Sequence, residues 1–130
     1  GNDERRLEVR ENVYRAKNLA FDAGCPVVMG CQSKQDINTR RVKLPGLYDG
    51  EESSSIAQRS DALLGLWMPK KSEAVGTFVE IGEASYKVTE NLFLVLVAKQ
   101  RFGPDGKHFA FNLDGGKNTI TLRSELEPPR

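Results

Sequence analysis

A chain of 130 residues and 14.5 kDa has room for one domain, with most of a single core's worth of burial. Its 38% apolar and 28% charged residues suit a soluble globular protein rather than a disordered one, and no run approaches the ~18 apolar residues of a membrane helix. A formal charge of +1, from 19 basic and 18 acidic residues, excludes a globally basic nucleic-acid binder, so any such contact must come from local patches.

The opening GNDERR is polar and carries both signs of charge, unlike a signal peptide, and a cytoplasmic location is expected. Residues 4–23 place Val9, Val13, Ala16, Leu19 and Ala20 at helical spacing with charges opposite, which predicts an amphipathic helix ended by Gly24 and Pro26. PVVMGC, residues 26–31, is an uninterrupted apolar run ending at Gln32, the pattern of a parallel strand buried on both faces. Helix, glycine turn and buried strand in succession predict an α/β fold. Cys25 and Cys31 flank the run and read as reduced, buried small hydrophobes. A structural zinc site would want closer pairs and more ligands, and the single histidine, His108, is distant.

From 33 to 54 the sequence is polar, basic at first and rich in turn formers, the character of functional loops. SSIAQRSD predicts a short helix, and ALLGLWM (62–68) a second buried strand stopped by Pro69. Within the polar stretch 70–90, TFVEIGEASYKV suggests a weak hairpin. NLFLVLVAK (91–99) is the strongest strand of the chain, and Gly103-Pro104-Asp105-Gly106 a turn with proline in second position. HFAFNLD alternates, with Phe109, Phe111 and Leu113 on one face; NTITL predicts a last strand, and 124–130 a tail.

Lys99 and Arg101, two apart, are expected on one face of the strand in register with Phe93, Val95 and Val97, emerging at its carboxyl end, where α/β sheets bind ligands. Two such cations suit phosphoryl oxygens, and a solvated pair at a hairpin tip fits the same residues. Gln32 stands at the equivalent edge, placed for a phosphate, an attacking water or a neighbouring loop. Ser53 and Ser54 precede the short helix, where they suit a phosphate at its first amides or plain capping. Lys34, Arg40, Arg41 and Lys43 form a basic loop suited to a nucleic-acid backbone or simply to solvent. GGKNT (115–119) imitates a phosphate-binding loop, but GxxxxGK[ST] would need glycine at Phe111 and Ser or Thr at Asn118.

In this order the pieces resemble the second half of the RecA-like motor domain of DnaB-type hexameric replicative DNA helicases, over roughly residues 5–122. LAFDAGCPVVMGCQ resembles that family's helix and strand leading to a glutamine that senses the γ-phosphate, at Gln32. DGEESSSIAQRSD matches D-x-x-E-S-x-S-I-x-Q-x-x-D at Asp49, Glu52, Ser53, Ser55, Ile56, Gln58 and Asp61. AKQRFGPDG is similar to the K-x-R-x-G-P-x-G hairpin.

The resemblance implies a single domain, 1–130, with a partial RecA-like α/β fold. Its mixed sheet would hold strands 26–31 and 62–68 parallel to 91–99, an antiparallel C-terminal hairpin and one main N-terminal helix. It implies that Lys99 and Arg101 act in trans on ATP held by a neighbouring subunit, Arg101 as an arginine finger, and that Gln32 senses phosphate. The basic loop and Glu52, Ser53 and Ser54 would grip single-stranded DNA, although Glu51 stands where the family commonly has arginine and Ser54 where it has glycine. ATP and Mg2+ belong to the full assembly; none is expected on this chain alone, which carries neither a P-loop nor the acidic residue that holds magnesium and is expected to be inactive by itself. Implied partners are single-stranded DNA, further copies of the chain (a hexamer in the family, a dimer or other assembly here) and a helicase loader, with no membrane. A RecA/KaiC-like ATPase piece with another role and a non-catalytic β-rich interaction module stay open, the latter marked by a purely antiparallel sheet. The motor reading also requires that Lys99 and Arg101 not be neutralised by carboxylates of their own chain.

Overall fold

The computed structural model describes residues 2–50 and 54–123; the expectations for Glu51, Glu52, Ser53 and the tail 124–130 lie outside the described residues. Helix α1, Asn2–Ala23, forms and stops as its spacing predicts. Gly24 adopts φ 65°, its N–H bonds the Phe21 carbonyl at 3.3 Å, and the Cys25 N–H bonds the Ala20 carbonyl at 3.2 Å. This is a Schellman cap, whose left-handed residue favours glycine. Val9, Val13, Ala16 and Ala20 are half-buried, while Leu19 is exposed. The helix packs on α2, Ser54–Arg59, where the Arg59 guanidinium lies 4.8 Å from the centre of the Tyr14 ring. No helix of the described residues is long and apolar enough to cross a membrane.

The buried strand expected at 26–31 does not form. Residues 25–32 are neither helix nor strand, Val28 is 96% exposed, and Cys25 and Cys31 are free and exposed rather than buried. An apolar run becomes a central strand only where neighbours on both sides take up its N–H and C=O groups, and no strand among the described residues pairs with it.

Strand β1 (Ala62–Trp67) is followed by a hairpin of β2 (Phe78–Ile81) and β3 (Ala84–Lys87), then by β4 (Leu92–Gln100), β5 (His108–Asp114) and β6 (Thr119–Leu122). The weak hairpin suggested within 70–90 therefore exists. The larger sheet runs β1-β4-β5-β6 and is antiparallel at every step. The expected parallel pairing of 62–68 with 91–99 is thus corrected. Parallel neighbours need a crossover, usually a helix, that returns the chain to the starting end; between β1 and β4 there is only the 3-10 turn Pro69–Lys71 and the small hairpin. Nor is β1 buried on both faces: it is an edge strand with Gly65 and Trp67 inward and Leu64 and Leu66 exposed.

Leu44, Trp67, Val79, Val88, Leu92, Leu94 and Ala110 form the core, where the sheet's inner face, the β2–β3 hairpin and the segment 42–45 meet. That segment lies against β1 so closely that a Cβ on Gly65 would overlap the Pro45 carbonyl oxygen, which explains the glycine inside an apolar strand. Phe93 sits opposite Phe111 on the outer face, ring centres 6.4 Å apart.

Candidate functional site

Strand β4 outruns β5. Their ladder ends at Leu96 opposite His108, and Val97 closes the loop by bonding the Lys107 carbonyl and the Gly106 N–H at 2.8 and 2.7 Å. Beyond that point β4 pairs only with β1, and the register slips: Leu64 faces Val97 but Leu63 faces Lys99, so Ala98 is the extra residue of a β-bulge. Opposed residues share a face, so Lys99 lies on the other face from Val97, not on the continuation of Phe93, Val95 and Val97 that strict alternation predicts.

The bulge aims Lys99 at α2. Its Nζ donates to the Ala57 carbonyl at 2.7 Å and to the Gln58 carbonyl at 3.3 Å. These belong to the last turn of the helix, whose carbonyls lack intrahelical donors and carry the negative end of the dipole. The Arg101 N–H bonds the Asp61 carbonyl at 2.9 Å, extending the β1–β4 ladder by one step. The Arg101 side chain pairs with the same residue, Nη1 to Oδ1 at 2.9 Å, and Lys17 of α1 donates to that oxygen at 2.8 Å. The Lys17 hydrogen bond, aided by the positive charges of Lys17, Arg101 and Lys99, holds the Asp61 carboxyl below its ordinary range. One carboxylate thus ties α1, the entry to β1 and the end of β4 together.

The expectation that the cations stand unneutralised is therefore not met for Arg101. The Arg101 and Asp61 side chains are 43% and 54% exposed, and a pair so open to water is weak and exchanges readily.

The basic loop is built differently. Ser33 bridges Gly50, and the Lys34 N–H bonds the Asp49 carbonyl at 2.7 Å, closing its base. Ile37 is buried in the 3-10 turn Gln35–Thr39. Arg40 grips both Asp49 carboxylate oxygens at 2.7 Å, and Asp49 also accepts the Gly46 N–H at 2.7 Å. The Arg40 hydrogen bonds hold the Asp49 carboxyl below its ordinary range. Lys43 pairs with Glu73 at 3.2 Å, with both side chains half-buried. Of the four basic candidates, Arg40 and Lys43 serve the loop's own architecture, whereas Lys34 and Arg41 are exposed. Gln32 is exposed next to the Ser33–Gly50 bridge, and Ser54 is exposed at the start of α2, at the opposite end from the carbonyls bound by Lys99.

Asp61 stands in the sequence motif without an assigned role, and no local signal marks it as the shared partner of Lys17 and Arg101. Among the described residues, no group of three or more His, Cys, Asp or Glu is placed to hold a metal ion.

A family model for the DnaB-like helicase C terminal domain matches residues 1–115. No curated protein matches the chain. Among solved structures that match is a DnaB-like replicative helicase studied with its interactions with primase. It is 20% identical, has a TM-score of 0.72 and covers 90% of this chain, which in turn spans 25% of that helicase's length. At this identity the likeness is one of fold. Because the helicase shares that fold over so much of the chain, the antiparallel sheet does not single out the interaction-module reading.

Proposed function

The chain belongs to the DnaB-like helicase C-terminal domain family, and from that premise we propose that it forms part of an ATP-dependent replicative DNA helicase motor. In this reading Arg101, with Lys99 beside it, approaches ATP and Mg2+ held by a neighbouring copy and stabilises the charge that develops on the transferred phosphate. Gln32 senses the γ-phosphate. Lys34, Arg41 and Ser54 face single-stranded DNA. Single-stranded DNA, further copies of the chain in a ring and a helicase loader are the proposed partners, and the chain alone is inactive.

The observation that carries this reading is the family match, which takes in Gln32, the 49–61 motif and the cationic hairpin in one stretch. The exposed Arg101–Asp61 pair is compatible with it, because a guanidinium exchanges a carboxylate for a phosphate through the same fork of donors. The same pair, together with exposed Leu64, Leu66 and Leu122 on the sheet, is also what a non-catalytic interaction module would carry.

The test is to combine the chain with a P-loop-bearing helicase portion and measure DNA-stimulated ATP hydrolysis. Arg101→Ala should lower the rate by roughly 10³-fold or more, and Arg101→Lys should not restore it, since lysine lacks the planar fork. An unchanged rate rejects the finger and favours the interaction module. For the DNA arm, two phosphate contacts, at Lys34 and Arg41, predict a log–log salt slope of about −1.4, against about −2.8 for four. A flat salt response removes that role.

A further inference from the structure

We propose that Asp61 is a positioning residue that holds Arg101 as an internal substitute for phosphate, releasing it when a stronger anion arrives. This deepens the motor reading above and rests on it.

The Asp61 Oδ1 receives two cationic donors, Arg101 Nη1 at 2.9 Å and Lys17 Nζ at 2.8 Å, the kind of contact set a phosphoryl oxygen takes. The main-chain bond from the Arg101 N–H to the Asp61 carbonyl, 2.9 Å, fixes the two residues side by side independently of their side chains. Arg101 can therefore leave by side-chain rotation without moving β4. Lys17 stays behind as the partner of the carboxylate, so release strands no unpaired charge. Lys99 is held on a different acceptor, the α2 carbonyls, and only Arg101 is under the control of a competing anion. The openness of both side chains to water makes the exchange reversible.

The experiment uses the chain itself with inorganic pyrophosphate as the probe, following the Arg101 side-chain Nε–H resonance by NMR through a titration. Removing the competing carboxylate with Asp61→Asn should tighten the apparent affinity, by less than about tenfold because the competitor is exposed. Asp61→Glu, which keeps a carboxylate, should titrate close to the wild type, and Asp61→Asn/Arg101→Ala should lose the gain. Retained backbone amide shifts in the sheet confirm that each variant folds. Identical titrations of the wild type and Asp61→Asn, including no binding by either, overturn the proposal, as does a gain that survives loss of Arg101. If the pyrophosphate result holds while Arg101→Ala leaves ATP hydrolysis unchanged in the reconstituted assembly, the latch stands and the motor reading fails. The opposite pair of results leaves the motor and removes the latch.

Discussion

The inner face of the sheet, within the half 62–123, and α1 with the 25–32 run, within the N-terminal half 2–50, put similar apolar residues to opposite fates. Leu92, Leu94 and Val88 are fully buried where the sheet, the small hairpin and the 42–45 segment close on one another. Leu7, Leu19, Phe21 and Val28 all stand more than half exposed, because α1 packs chiefly on the short α2 and no strand among the described residues pairs with the 25–32 run. Stability therefore resides in the sheet. The candidate site lies on the border, tied by ion pairs and carbonyl contacts rather than by packing, and elements held this way open locally at low free energy.

The sharpest way to break this contrast is a pair of leucine truncations. Leu94→Ala should lower the urea-unfolding free energy by about 2–5 kcal/mol, and Leu19→Ala by no more than about 0.5 kcal/mol. Comparable losses would mean that α1 belongs to the same cooperative core. Next in size is Gly65→Ala, whose methyl must push the 42–45 segment off β1; a loss of about 1–3 kcal/mol is expected. A near-neutral result would show that the segment yields freely.

The smallest effect is pH-dependent and differs between the halves. In the sheet half, burial holds the His108 imidazole below its ordinary value, beside a 2.8 Å hydrogen bond shared with Tyr86. The unfolded chain then protonates first, so this contribution is present above about pH 6.5 and fades as the pH falls through the lowered value. In the loop, Asp49 is depressed chiefly by Arg40, so its contribution is present above the ordinary carboxylate pKa and is lost as the pH falls through its lowered one. Amide hydrogen exchange should show protection weakening in the sheet at the higher of these two pH windows and in 33–50 only at the lower. Simultaneous loss would merge the two halves into one unit.

By itself the sequence determined the features that neighbouring residues dictate. The spacing of Val9, Val13, Ala16 and Ala20 makes α1, Gly24 ends it, the apolar run at 91–99 makes β4, and the alternation at 108–114 makes β5. Its ordered motifs also carried the family. Tertiary structure alone decided that 26–31 forms no strand, that β1 runs against β4, that Ala98 bulges and turns Lys99 towards α2, and that Asp61 claims Arg101. Periodicity records which way a residue faces along its own element. Strand direction, register and ion pairing depend on groups far away in the chain, such as Asp61 and Arg101, whose meeting is set by the path between them.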